Sequence, residues 1–163
     1  MRRFILSLTA AALAIGMVAG PLAAKPAPSP TIVDIAVGNE NFDTLVAAVL
    51  AADPAVLKTL SAKGQRTVFA PTDDAFAALG LNETNVASLG SDALTAILLY
   101  HVAPGARDAA DVVSSSRIRT LNGGFLRVSV TGEGAFVNDS QIIATDIKAS
   151  NGIIHVIDAV LLP

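Results

Sequence analysis

Asp73 and Asp74 stand side by side after Thr67-Val68-Phe69-Ala70-Pro71-Thr72, and adjacent carboxylates are raw material for a metal site or an acid–base pair. Two carboxylates fall short of the roughly six to eight oxygens a calcium ion takes. Their place after Thr72 accounts for them otherwise: Thr72 fits a helix N-cap, and acids at the next two positions complement the helix dipole. The chain has two histidines, His101 and His155, far apart in sequence and without a third ligand in metal spacing. His101 falls at the C-terminal end of a helical pattern, where a ring nitrogen can meet a free backbone group. His155 has apolar neighbours on both sides and reads as a core histidine with its N–H satisfied. Ser114-Ser115-Ser116 lacks the glycines of a nucleophile elbow, and Gly123-Gly124 opens no helix, so it is a turn rather than a phosphate loop. With no cysteine, disulfides, thiolate metal sites and cysteine nucleophiles are excluded. No cofactor and no metal site is expected.

The elements around these residues follow from punctuation and period. Thr67-Val68-Phe69 suits a buried strand. Pro71 is expected to end it at Ala70, and Phe76 at N4 is placed to pack back over Pro71. Upstream, Thr31 to Val37 is apolar enough to dock as a short helix or an extended segment. Phe42, Leu45, Val46, Val49 and Leu50 mark an amphipathic helix over 41–51, and Asp53-Pro54 opens another with Val56, Leu57 and Leu60 inward. A short helix over 83–89, a longer one capped by Ser91 with Leu94, Ile97 and Leu98 buried, and a helical turn over 108–113 follow. From Arg117 the period becomes two. Strands are expected at 126–130, 135–138, 141–146 and 153–160, the last apolar enough to be covered on both faces. Helices in the first half and strands in the second make an α+β protein.

The N-terminus is expected to be an export signal. Met1-Arg2-Arg3 is a positive start, Phe4 to Val18 an apolar run, and Ala23-Ala24 small residues before a cut. This divides the chain into a signal peptide (1–24), a proline-rich linker (25–30) and one domain (31–163). The product is therefore expected in the periplasm or outside the cell, with no membrane span in the mature chain. The formal net charge is −3, and loss of Arg2 and Arg3 makes the remainder more acidic. An acidic chain without basic clusters in its sequence argues against nucleic acid as partner.

Three blocks in order resemble the fasciclin-like (FAS1) domain family: Thr67 to Phe76, Leu98-Leu99-Tyr100-His101-Val102-Ala103-Pro104-Gly105, and Asn151-Gly152-Ile153-Ile154-His155-Val156-Ile157-Asp158-Ala159-Val160-Leu161-Leu162-Pro163. The resemblance covers about residues 31–163. It implies a wedge with a two-sheet, β-sandwich-like core and several short helices packed around it. It also implies a non-catalytic adhesion or binding module for cell-surface, matrix or biofilm contact, with a protein or surface glycan as partner and a monomeric domain. On this likeness Tyr100 and His101 are partner-contact or scaffold residues, while Thr67, Phe69, Pro71, Thr72, Asp73, Phe76, Asn151, Gly152, His155 and Asp158 belong to the structural motifs. Two other functions stay open. A carrier of small molecules or lipids requires a large, enclosed, apolar cavity. A hydrolase requires Asp73, Asp74 and His101 to converge in a cleft with their polar atoms free.

Overall fold

The computed structural model describes residues 27–163. The expected signal peptide and the first two linker residues lie outside that range. Residues 27–30 are exposed and irregular, yet the Pro30 carbonyl already accepts the Ser150 N–H at 2.8 Å, so the folded unit takes hold within the linker.

Helices fill the first half. In α1 (Ile32–Val37) Thr31 and Asp34 form a capping box, which settles this segment as helix rather than extended chain. A 3₁₀ turn (Glu40–Phe42) leads into α2 (Asp43–Ala51), and α3 (Pro54–Ser61) follows with Asp53 as N-cap and proline at the first turn. Next come β1 (Arg66–Pro71) and the short α4 (Asp73–Ala77). The helix expected over 83–89 is only a 3₁₀ turn, Val86–Leu89. α5 (Ser91–Tyr100) starts one residue earlier than a Ser91 cap requires: Gly90 is the N-cap and no side chain caps it. Directly after α5 lies β2 (Val102–Pro104), a strand too short for its period to declare itself.

The second half supplies α6 (Ala109–Ser114), β3 (Arg117–Arg119), β4 (Phe125–Thr131), β5 (Gly134–Val137), β6 (Ser140–Ala149) and β7 (Gly152–Ile157). All seven strands join one continuous sheet in the order β2-β1-β7-β6-β5-β4-β3, in which only β1 and β7 run parallel. Here the architecture departs from two separate sheets. The sheet curls until its ends meet, the Leu121 N–H donating to the Val102 carbonyl at 2.8 Å, so the core is barrel-like and nearly closed. The bend has a local cause. β6 loses register with β7 twice, between Ile142 and Ala144 and between Ala144 and Ile147, and Asp146 sits at φ 58°. Such bulges let one long strand turn a corner.

Pro71 does not end β1 early. It is the last rung of the ladder, opposite Ile157, and the next bond comes from the Thr72 N–H to the Ile157 carbonyl. Proline is tolerated there because β2 pairs only with residues 66–68, leaving no partner to ask for its missing donor.

Period-two alternation in β1 and β7 builds two cores. Val68, Ala70, Ile154 and Val156 face the helices, where they meet Phe42, Leu45, Val56, Phe76, Leu94 and Leu98. Phe69 and Ile157 face the inside of the curl, with Tyr100, Val112, Ile118, Leu126, Val137 and Leu161. The final strand is thus covered on both faces, as its nearly continuous apolar run requires, though it ends at Ile157 rather than at residue 160.

Candidate functional site

Of the three side chains a hydrolase would need, Asp73 and His101 are bonded to backbone groups. Thr72 caps α4 through the Ala75 N–H, and Asp73, at N1 of that helix, reaches across to accept the Thr44 N–H of α2 at 2.7 Å. The residue before α2, Phe42, has no capping side chain, so Asp73 supplies the cap from 29 positions away. Asp74 is exposed on the α4 surface. His101 is 2% exposed, its Nδ1 donating to the Ile97 carbonyl at 2.7 Å and its Nε2 accepting the Leu161 N–H at 2.9 Å. Those partners assign the neutral tautomer with the proton on Nδ1. Burial lowers its pKa from 6.5 to about 4, against a smaller upward pull from the Ile97 hydrogen bond. Asp73 and Asp74 border a hollow that does not include His101, whose two nitrogens are bonded to backbone, so the three do not converge in one cleft as the hydrolase alternative requires.

His155 repeats the device with the nitrogens exchanged. It is fully buried, stacked on Phe69 with ring centroids 5.7 Å apart; its Nε2 meets the Arg107 carbonyl at 2.8 Å and its Nδ1 accepts the Asp146 N–H at 3.4 Å. It thereby ties the β6 bulge to the loop before α6. Among the described residues no three His, Asp or Glu side chains gather as a metal site.

The remaining motif residues also hold elements together. Buried Asn151 accepts the Ile32 N–H at 2.9 Å and donates to the Leu60 and Ala62 carbonyls at 2.6 and 3.2 Å, fastening α1 and the end of α3 to the β6–β7 turn. A side chain on Gly152 would collide with the Arg66 carbonyl, which is why β7 starts on glycine. Thr67 donates to the Gly105 carbonyl and accepts the Arg107 N–H, and Asp158 accepts the Gln141 N–H at 2.7 Å.

Tyr100 leads to a surface. Its ring is 8% exposed and lies over Gly124, where an added Cβ would come within 2.8 Å of it. Its hydroxyl donates to the Phe125 carbonyl at 3.1 Å and accepts from the Asn138 side chain at 3.3 Å. Asn138, at φ 53°, in turn accepts the Arg127 N–H with its side chain and donates its own N–H to the Arg127 carbonyl at 2.7 Å. Above this buried bracket lies the outer face of β3 and β4. Arg117 is directly opposite Arg127, and Arg119 opposite Phe125; all four are exposed. The Arg117 guanidinium lies 5.5 Å from the centre of the Phe125 ring, and a shallow hollow beside it includes Ser116, Ser129, Asn138 and Asp139. Like charges facing each other across a ladder destabilise it. Three exposed arginines on one face of an acidic chain make a local positive surface that reading charges in sequence order does not reveal. The available signal was the alternation Arg117-Ile118-Arg119 before the Asn122-Gly123-Gly124 turn, with Arg127 beyond it.

The helix-side core is not solid. A cavity of about 230 Å³ lies beneath α1 and α2, walled by residues of α1, α2 and α3 and floored by Val68, Phe69, Leu98, His101 and Val102. Every lining side chain except His101 is apolar, and both His101 nitrogens are bonded elsewhere.

These features fit a known pattern. The model of the Fasciclin domain matches residues 40–163. Protein sll1483 of Synechocystis sp. is 50% identical over 135 residues, spanning 82% of this chain and 73% of that protein. The transforming growth factor-beta-induced protein ig-h3 of Sus scrofa is 37% identical over 136 residues, 83% of this chain and 20% of that one. Among solved structures, the FAS1 domain pair of the insect cell adhesion molecule Fasciclin I superposes with a TM-score of 0.70 at 20% identity, covering 83% of this chain and 52% of that chain. The chain belongs to the fasciclin (FAS1) domain family.

Proposed function

We propose that this chain is an exported, non-catalytic binding module of the adhesion type, which meets an acidic glycan or protein on a surface through the outer face of β3 and β4. The observation that carries this reading is the exposed group Arg117, Arg119, Arg127 and Phe125, held in register by the ladder itself. Guanidinium groups recognise carboxylate and sulfate by paired hydrogen bonds, and an aromatic ring beside them adds a flat apolar contact. Tyr100 acts beneath this face as a positioning residue, through the Phe125 carbonyl and Asn138. His101 acts as scaffold at the end of α5. Membership of a family that includes an insect cell adhesion molecule supports the same reading.

Retention of the purified domain on immobilised alginate and heparin, with dextran as the neutral control, tests it. The wild type is expected to bind the two acidic polymers and to elute with rising salt. A variant carrying Arg117→Ser, Arg119→Ser and Arg127→Ser is expected to pass through with its melting temperature kept. Equal retention of the variant, or none of the wild type on either polymer, sinks the assignment of this face.

A further inference from the structure

We infer that the cavity beneath α1 and α2 is a binding site for a small, neutral, hydrocarbon-like molecule, the size of an alkylated benzene or the terminal segment of an aliphatic chain. This goes beyond the adhesion reading and does not depend on it, because the cavity lies among the helices and the arginine face lies on the far strands of the sheet. Its size sets the class of ligand. At about 230 Å³ it exceeds the roughly 150 Å³ apolar cavity that stays dry and takes up benzene, and falls short of the roughly 300–1,000 Å³ of drug-sized pockets. Its lining sets the polarity. Val33, Val46, Val49, Leu57 and Val68 present only methyl groups, and the one polar ring, His101, has both nitrogens committed to backbone. Water finds none of the two to four polar partners it needs to settle there. No charged side chain lines the walls, so an ionised headgroup has no counter-charge inside.

The cavity also has a door. Val37 and Leu50 line it and are 61% and 68% exposed, so the wall opens to solvent between the end of α1 and the end of α2. α1 is only six residues long and is fastened at its first turn, by the Thr31–Asp34 capping box and by Asn151. Its far end passes through Gly38 into the 3₁₀ turn before α2. A short helix pinned at one end can swing at the other, which suits entry of a ligand at Val37.

Titration of the methyl-labelled domain by NMR with butylbenzene and, separately, 1-octanol tests the site, with phosphatidylcholine vesicles as a third arm. Saturable shifts are expected at the methyls of Val33, Val46, Val49, Leu57 and Val68, while Leu126 and Val137 inside the curled sheet stay unmoved. Saturation by butylbenzene assigns a ring-shaped ligand and by 1-octanol a chain. Ala36→Phe, which fills the cavity from a half-buried position, is expected to weaken binding by about tenfold or more. Val46→Phe replaces it should that variant fail to fold. The inference is overturned by absence of saturation up to the solubility limit, by undiminished affinity in the filled variant, or by response to vesicles alone, which would mean contact with a bilayer surface.

Discussion

Acid should unlock this fold through one side chain. His101 is neutral, donating from Nδ1 to the Ile97 carbonyl and accepting the Leu161 N–H at Nε2. A second proton on Nε2 would set two donors against each other inside the core. In the folded protein the pKa falls to about 4, from 6.5 for an unburied histidine. Between those values the unfolded chain binds a proton that the folded chain refuses, so stability must rise with pH across that window. The contribution of His101 is complete above pH 6.5 and is lost progressively as the pH falls toward 4. The gap between the two pKa values corresponds to roughly 3 kcal/mol. For a domain with a urea dependence of about 1–3 kcal/mol per molar, that is a midpoint shift of about 1–3 M. Urea melts of the wild type and His101→Gln from pH 7.5 to pH 4 measure it. His155 and all carboxylates are present in both proteins and cancel in the difference. The advantage of the wild type should therefore shrink by roughly 3 kcal/mol over that range. Imidazole NMR gives a direct check, since only two histidines contribute signals. Parallel pH profiles for the two proteins, or a His101 resonance titrating near 6.5, would refute the reasoning.

Two further perturbations address how the helices are held. Thr72→Ala should cost about 1 kcal/mol through the lost α4 cap, and Asp73→Ala at least as much, because it uncaps α2 from a distance; an Asp73→Ala thermal melt indistinguishable from wild type would show that the bond to Thr44 carries no weight. Asn151→Ala strands the Ile32 N–H and weakens the satisfaction of the Leu60 and Ala62 carbonyls, for a loss of about 3 kcal/mol or more. Hydrogen exchange should then show α1 amides opening before the rest, and uniform protection would contradict the fastening role of Asn151.

Much of the fold was legible because its signals are local. The cap at Thr72, the helix periods over α2, α3 and α5, and the alternation of β4 each depend on residues within a few positions of one another. The misjudged parts depended on partners. β2 is three residues long and exists because β1 lies beside it. β6 runs past its expected end because bulges let it follow the curl, and a single curled sheet cannot be told from two flat ones by strand pattern alone. The functional candidates divide the same way. Tyr100 and His101 were marked by motif, but whether they face a partner or the core depends on what packs over them, and here Gly124, Phe125 and Leu161 do.

By itself, the sequence determined the α+β class, the family motifs and the capping role of Thr72, since that cap is a hydrogen bond between residues three apart. Only the tertiary structure decided the rest. Strand register brings Arg117 opposite Arg127, although they lie ten positions apart and the chain as a whole is acidic. Helix packing leaves a cavity that no pattern of apolar residues encodes, because the pattern specifies which side chains turn inward but not how completely they fill the space. Asp73 became a cap for α2 by the same logic: a carboxylate satisfies whichever N–H the fold brings within reach.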